Sequence, residues 1–379
     1  MWPRKALPST IQEKEGSHRM SIGLGGIGAA RRTNGPRRRL STLAVAAALV
    51  GGTLGLTAPV ATAQAMGLTV TAGFGDGTVA GQAYAPGDVT VAVGDSVTFA
   101  IGSDEPHTIT MGEGPAEVPP PFWPVAGFAE PTPEQMELAG TPYDLGTVEY
   151  DGTGFINTGA LFNKGSTATV TFTAAGTFPF FCVFHPGMAG IATVVEDGAT
   201  TTQEDADAAT AETRDLILGQ VEPLREQRLA ETSSVENDDG STTWNVFTDA
   251  ATETGAQPGG GSGYLELLEF TPAQMRIEPG DTISWTVAKI HTVTFVPEGM
   301  DPQSLFATEE ALIPPQGGST YDGTEVAHSG ILGFPVDPAA GPVTEYSLTF
   351  PEPGVYPFFC ALHVQLGQMG VVAVGVDLP

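Results

Sequence analysis

Cysteine and basic residues are the scarce components of this chain. Its 379 residues include two cysteines, six histidines, and 15 Lys plus Arg against 44 Asp plus Glu. Two cysteines exclude a disulfide-dense scaffold and leave room for one bridge at most. The shortage of Lys and Arg is sharper than the total suggests. Nine of the 15 lie before residue 66, with only two of the 44 acidic residues, so the remainder carries 6 basic against 42 acidic residues, a formal net of −36. Such a surface repels nucleic acid and anionic lipid, and it fits a basic docking partner or solubility at high salt. Long apolar runs are also missing. The longest, Leu43 to Leu56, is short for a membrane span, and no second one follows before Pro379.

What the N-terminus does have is the pattern of an export signal. Arg31, Arg32, Arg37, Arg38 and Arg39 precede the apolar stretch, and small residues then lead to Ala63-Gln-Ala65. A positive segment, an apolar segment and an A-x-A-like end are the marks of a cleaved signal peptide. Residues 1–65 are therefore expected to be that signal, with Met20 as an alternative start and Arg37-Arg-Arg-Leu40 as a weak twin-arginine candidate. The first cysteine is Cys182, so no lipid-anchoring cysteine follows the signal. The expected product is secreted or extracytoplasmic, without a membrane span.

Comparison of the chain with itself exposes a duplication. Tyr84 to Phe99 matches Phe270 to Trp285 without a gap, and His107-Thr-Ile-Thr then matches His291-Thr-Val-Thr. Further on, Tyr150-Asp-Gly-Thr matches Tyr321-Asp-Gly-Thr. Within each copy, short stretches such as Ser96-Val-Thr-Phe-Ala100 and Glu345-Tyr-Ser-Leu-Thr-Phe350 alternate polar and apolar residues between Gly- and Pro-containing turns. The fold class expected is all-β: two tandem Greek-key β-sandwich domains, residues 66–197 and 263–379. Residues 198–262 are expected to be an acidic, partly helical linker. Its helix is placed at Ala208–Glu231, interrupted by Pro223, as a spacer with dimerisation as the alternative. Gln257-Pro-Gly-Gly-Gly-Ser-Gly263 reads as a flexible end to it. Each copy also has a long Pro-rich loop after its first histidine, in the first copy Pro119-Pro-Pro-Phe-Trp-Pro124, which either roofs a site or is a plain surface insertion.

Both cysteines fall at equivalent places late in the two copies. Phe178-Pro-Phe-Phe leads into Cys182-Val-Phe-His185-Pro-Gly-Met188, and Tyr356-Pro-Phe-Phe leads into Cys360-Ala-Leu-His363-Val-Gln-Leu-Gly-Gln368-Met369-Gly370. Pairing them would fuse two separate cores. Free thiols in an oxidising compartment are a liability unless occupied, and a metal occupies them. A thiolate, an imidazole and a soft or amide donor on one loop, with a lone upstream histidine in each copy, make a set suited to copper.

These loops resemble those of the cupredoxins, the plastocyanin, amicyanin and azurin family of type 1 (blue) copper proteins. The resemblance spans about two-thirds of the chain. It implies one copper per domain, held by two histidines and a cysteine with a weaker axial ligand. In the first copy the set would be His107, Cys182, His185 and Met188, at amicyanin-like spacing, with Gly190 in place. In the second it would be His291, Cys360 and His363. There the axial position two residues before the strand-opening glycine holds Gln368, with Met369 as the alternative axial ligand. An amide oxygen favours Cu(II) more than a thioether does, so the second site should have the lower potential and pass electrons to the first. The family often has Asn after the first histidine; here Thr108 and Thr292 stand there, which leaves the usual support of the site in question.

Five histidines follow the signal: 107, 185, 291, 328 and 363. Four are taken by the two sites. Multicopper oxidases need His-x-His pairs, which are absent, and copper nitrite reductases need several more histidines than His328, which aligns with Asn157 as a loop variation. No catalytic residues are assigned and no enzyme is expected. The expected function is copper ion binding and electron transfer with a redox protein partner, a basic one being an option that the acidic surface fits. Copper sequestration or delivery is the alternative, and a subunit whose domains serve docking is a third.

Overall fold

The computed structural model describes residues 67–117, 123–132, 135, 141–300, 314–334 and 341–378. The expected signal peptide, the alternative start at Met20 and residues 119–122 of the Pro-rich loop lie outside the described residues.

The alternation seen in the sequence becomes strands with one buried face. In the first half these are β1 (Gly67–Phe74), β2 (Val79–Ala85), β3 (Asp88–Ala92), β4 (Ser96–Ile101), β5 (Thr110–Met111), β6 (Asp144–Tyr150), β7 (Ile156–Asn157), β8 (Thr167–Phe172), β9 (Gly176–Phe181) and β10 (Ala189–Val195). On β8, Ala168, Val170 and Phe172 are fully buried while the residues between them are not. One sheet runs β2-β1-β4-β8-β6 and the other β3-β10-β9-β5-β7. Tyr84, Phe99 and Phe180 meet between them edge to face, Phe180 at 5.0 Å from each of the other two rings.

The second half repeats this plan. After helices α1 (Gln203–Leu218) and α2 (Val221–Glu231) come β11 (Ser233–Glu236), β12 (Thr242–Phe247), β13 (Ala250–Glu253) and β14 (Gly263–Leu267). Then follow β15 (Gln274–Ile277), β16 (Thr282–Thr286), β17 (Thr294–Phe295), β18 (Ala327–His328), β19 (Glu345–Thr349), β20 (Gly354–Phe359) and β21 (Met369–Val374). The sheets run β11-β12-β16-β19 and β15-β21-β20-β17-β18. Phe270, Trp285 and Phe358 fill the place of Tyr84, Phe99 and Phe180, with Phe358 at 4.6 and 5.6 Å from the other two rings. The all-β, two-sandwich expectation is thus what the chain adopts.

The stretch expected to be linker carries more structure than its composition suggested. β12 pairs in parallel with β16, as β1 does with β4, so residues 242–247 supply a strand of the second sandwich. The helix starts at Gln203, where Thr202 accepts a bond from Asp205 N, and breaks at Gly219 rather than at Pro223. Pro223 sits in the first turn of α2, where a missing N–H costs nothing. The helices are also not a free spacer. Ala206 joins the first core, while Ile217 and Leu224 pack on Phe74, Ala83, Leu265 and Leu267. The glycine run is tied down as well. Asp88 N donates to Gly259 O at 2.7 Å, Ser262 N to Ala189 O at 2.9 Å, and Ser262 Oγ to Gly187 O at 2.7 Å. A Cβ on Gly260 would stand 2.1 Å from the Asp88 carboxylate, so these glycines permit close approach rather than flexibility. Composition cannot separate those two uses of glycine.

β2 and β14 pair antiparallel and join the two halves into one seven-stranded sheet, β13-β14-β2-β1-β4-β8-β6. By the gap-free repeat, Val79 corresponds to Leu265, Ala80 to Glu266 and Gly81 to Leu267. The observed pairs are Val79 with Leu267, Ala80 with Glu266 and Gly81 with Leu265. Exchanging the two copies maps this ladder onto itself, so a local two-fold axis passes by the Ala80–Glu266 pair, the geometry of an isologous contact. Helix α1 covers this seam, with Ile217 Cγ2 only 2.9 Å from where a Cβ on Gly81 would lie. Among the described residues no helix is long and apolar enough to cross a membrane.

Ile217→Ala should therefore destabilise both halves together. A loss of about 2–5 kcal/mol, read by denaturant unfolding as one cooperative transition, is the expected result; two separate transitions with the second half unaffected would contradict the shared seam.

Candidate metal centres

Each centre is built where a β-sandwich brings an upstream loop against the turn between its last two strands. His107 stands before β5 and is held by mutual backbone bonds with Leu161; His291 stands before β17 and is held the same way by Leu332. Cys182 and His185 lie in the β9–β10 turn, Cys360 and His363 in the β20–β21 turn. Both cysteines are free and buried.

In the first half Cys182 Sγ lies 3.4 Å from His185 Nδ1 and 3.9 Å from His107 Nδ1, and the two nitrogens are 3.2 Å apart. In the second half Cys360 Sγ lies 3.5 Å from His363 Nδ1 and 3.8 Å from His291 Nδ1, with the nitrogens 3.1 Å apart. Three lone-pair donors converge in each trio, and each set has the reach of one metal ion. Burial alone would raise both thiols, yet the neighbouring imidazoles, His185 and His363 foremost, hold each well below the ordinary thiol range, in the thiolate form a soft metal needs.

The backbone around each trio puts Met188 and Gln368 at equivalent places in the two turns. Cys182 N donates to Met188 O at 3.1 Å, and Cys360 N donates to Gln368 O at 3.1 Å. A left-handed glycine precedes each, Gly187 at φ 100° and Gly367 at φ 104°. The two extra residues of the second loop are taken up by a 3-10 turn, Val364–Leu366. Gln368 Oε1 lies 3.0 Å from His291 Nδ1 and 3.1 Å from His363 Nδ1. Its Nε2 donates to Thr248 O at 2.6 Å, which fixes the amide with oxygen toward the trio. Met369 instead pairs with Phe359, as Ala189 pairs with Phe181, and is 51% exposed. Met188 is buried.

The family model for copper binding proteins of the plastocyanin/azurin family matches residues 72–196 and 261–375. The chain belongs to that family. Among solved structures it is similar to a mutant plastocyanin of fern, at 16% identity over 34% of this chain and 98% of that one, with a TM-score of 0.19. It is also similar to auracyanin from Roseiflexus castenholzii, at 23% identity over 28% and 88%, TM-score 0.21. A third is pseudoazurin from Methylobacterium extorquens AM1, at 25% identity over 36% and 76%, TM-score 0.18.

Thr108 and Thr292 do the supporting work in this plastocyanin/azurin-type pair. Thr108 N donates to Cys182 Sγ at 3.4 Å and Thr292 N to Cys360 Sγ at 3.3 Å. Each hydroxyl also accepts from the residue after the cysteine, Val183 N at 3.0 Å and Ala361 N at 2.7 Å. His328 takes the place of Asn157: its Nδ1 lies 2.9 Å from Thr294 Oγ1, where Asn157 Oδ1 accepts from Thr110 Oγ1. It braces the threonine pair and stands in neither trio.

The outward nitrogens separate the two centres. His107 Nε2 lies 2.9 Å from Ser103 Oγ, a neutral partner. His291 Nε2 lies 3.3 Å from Glu266 Oε1 and 3.5 Å from Asp249 Oδ2, two buried carboxylates. Burial pulls both imidazoles toward neutrality. His107 ends below its ordinary value, whereas the bonds to Asp249, Cys360 and Glu266 drive His291 well above it. Asp249 is held in turn by Ala288 N and Lys289 N at 2.8 and 2.7 Å. By strand register Asp249 stands where the first half has Gly73, each two residues beyond an equivalent pair, Phe247–Thr286 and Thr71–Ala100. A Cβ on Gly73 would sit 2.1 Å from His107 Nε2, so the first half has no room for such a carboxylate. Sequence inspection missed Ser103, Asp249 and Glu266; only the register of the repeat, carried into the supposed linker, could have pointed to Asp249.

Thr108→Val keeps the shape and removes the acceptor for the buried Val183 N–H. The metal-free chain should lose about 1–3 kcal/mol in denaturant unfolding. An unchanged midpoint would show that the hydroxyl does not clamp the cysteine loop.

Proposed function

We propose that the chain is an exported electron carrier with two type 1 copper sites, His107, Cys182, His185 and Met188 in one half and His291, Cys360, His363 and Gln368 in the other. The observation that carries this reading is the convergence, twice, of one buried thiolate and two imidazole Nδ1 atoms at mutual distances of 3.1 to 3.9 Å. Copper bound by such donors supplies a one-electron couple, because thiolate and imidazole suit both of its oxidation states. The chain's own part is to hold those donors rigidly: the sulfur by the Thr108 and Thr292 N–H groups, the imidazoles by their outward partners. Residues that deliver or store copper need exchangeable donors, and here His107, Cys182, His291 and Cys360 are at most 3% exposed.

The donors also favour an order of potentials. Gln368 presents an amide oxygen where the first site has Met188, and Asp249 with Glu266 add negative charge behind His291 where Ser103 stands behind His107. Both differences favour the more positive oxidation state in the second half, which supports electron flow from the second site to the first. The acidic surface suits a basic redox partner outside the cell membrane.

The test is copper loading followed by reductive titration. Two coppers per chain and an intense blue band are expected, with Cys182→Ala and Cys360→Ala each removing one copper. The site that survives in Cys182→Ala should be reduced at the lower potential, and Gln368→Met should raise that potential. Colourless, readily chelated copper would sink the reading in favour of storage or delivery, and the reverse order of potentials would sink the direction of flow.

A further inference from the structure

The remaining two histidines, His185 and His363, do not have separate partners. Both outward nitrogens lie within ion-pair distance of one oxygen. Glu105 Oε2 lies 3.5 Å from His185 Nε2 in its own half and 3.8 Å from His363 Nε2 in the other. The two imidazole edges are thus no more than 7.3 Å apart, the sum of those contacts. All three groups are enclosed: Glu105 is 5% exposed, His185 7%, and the His363 side chain 14%. Glu105 precedes His107 by two residues, in the loop between β4 and β5, and so belongs to the first centre's own upstream segment.

From this juxtaposition we infer that Glu105 is a positioning residue common to both metal centres, and that His185–Glu105–His363 is the path by which the two centres exchange an electron inside one molecule. The inference rests on the copper reading above for its electron half and on geometry alone for its positioning half. An imidazole that offers Nδ1 to a metal carries its proton on Nε2 and needs an acceptor there. His107 Nε2 meets Ser103 Oγ, and His291 Nε2 has the Asp249 and Glu266 carboxylates as ion-pair neighbours at 3.5 and 3.3 Å. For the Nε2 atoms of His185 and His363 the charged neighbour is the same carboxylate, at ion-pair distances of 3.5 and 3.8 Å, so a single side chain biases the orientation of one ligand in each half. The local two-fold axis at Ala80–Glu266 explains how two equivalent turns from different halves come to face one another, and the single glutamate breaks that symmetry. Exchange along the path is balanced: the electron lost by the reduced centre is the one gained by the oxidised centre, no bond breaks, and both Nε2 protons stay in place.

Two measurements on the full chain test this. In the metal-free protein, the imidazole 15N–1H signals of His185 and His363 should both shift or be lost to exchange in Glu105→Ala, whereas a change confined to His185 would overturn the shared role. In the copper-loaded protein, pulse reduction by less than one electron equivalent should be followed by a first-order redistribution between the centres, independent of protein concentration. Glu105→Ala should slow that phase about tenfold or more, the rate being read on chains that retain two coppers. Glu105→Gln, which offers one acceptor oxygen of the same size, should fall between the two and serves if the alanine variant folds poorly. A mixture of Cys182→Ala and Cys360→Ala chains should show only concentration-dependent exchange. Unchanged imidazole signals and an unchanged rate in both Glu105 variants would overturn the link while leaving the copper reading standing. A wild-type chain that takes up no copper would overturn the electron path together with that reading, and the imidazole signals of the metal-free chain would still decide the positioning role.

Discussion

An imidazole has two nitrogens, and committing one to a metal dictates what the other must meet. In both halves of this chain the four histidine Nδ1 atoms turn inward to a thiolate, so the four Nε2 atoms turn outward into protein. A buried imidazole edge without a polar or charged neighbour is costly, and each of the four outward nitrogens has such a neighbour. Ser103 meets His107, the Asp249–Glu266 pair meets His291, and Glu105 meets His185 and His363. These neighbours come from loops and from strands of the neighbouring segment, so the sites depend on how the two sandwiches are joined as much as on the sandwiches themselves.

That joining is nearly symmetric in backbone and unsymmetric in chemistry. The β2–β14 ladder maps onto itself when the copies are exchanged, yet the central pair is Ala80 with Glu266, and the carboxylate of the latter reaches only His291. Gly73 in one copy becomes Asp249 in the other for a steric reason, since the first copy leaves no space for a side chain beside His107. The duplication has kept the donor trio and changed what lies behind it. On the copper reading proposed above, charge placed behind a ligand, together with the choice of Met188 or Gln368 in front, would be the means by which one fold supports two different potentials.

Much of this was legible in the sequence, because short spacings within one turn transmit directly into geometry. Cys-x-x-His brings Sγ and Nδ1 of each loop together, and the offset from the strand-opening glycine singled out Gln368 over Met369; the structure faces the first inward and exposes the second. His328 as a variation on Asn157 was likewise readable from the aligned repeat. What was not legible depends on contacts between distant segments. Composition marked residues 198–262 as linker, although β12 belongs to the second sandwich and the glycine run packs against the first. Thr108 and Thr292 looked like losses because a familiar amide was missing; their hydroxyls bond the residue after each cysteine. Glu105 carried no signal among 44 acidic residues, since its meaning comes from a histidine more than 250 positions away.

The central claim is that the two halves hold two unlike metal sites facing each other across one carboxylate. Anomalous diffraction at the copper edge from crystals of the copper-loaded chain tests it most directly. Two peaks are predicted, one within each His–Cys–His trio, with Gln368 Oε1 turned to the second and the Glu105 carboxylate lying between His185 and His363. A single peak, or a peak placed among Asp249, Glu266 and the outward nitrogen of His291, would contradict it.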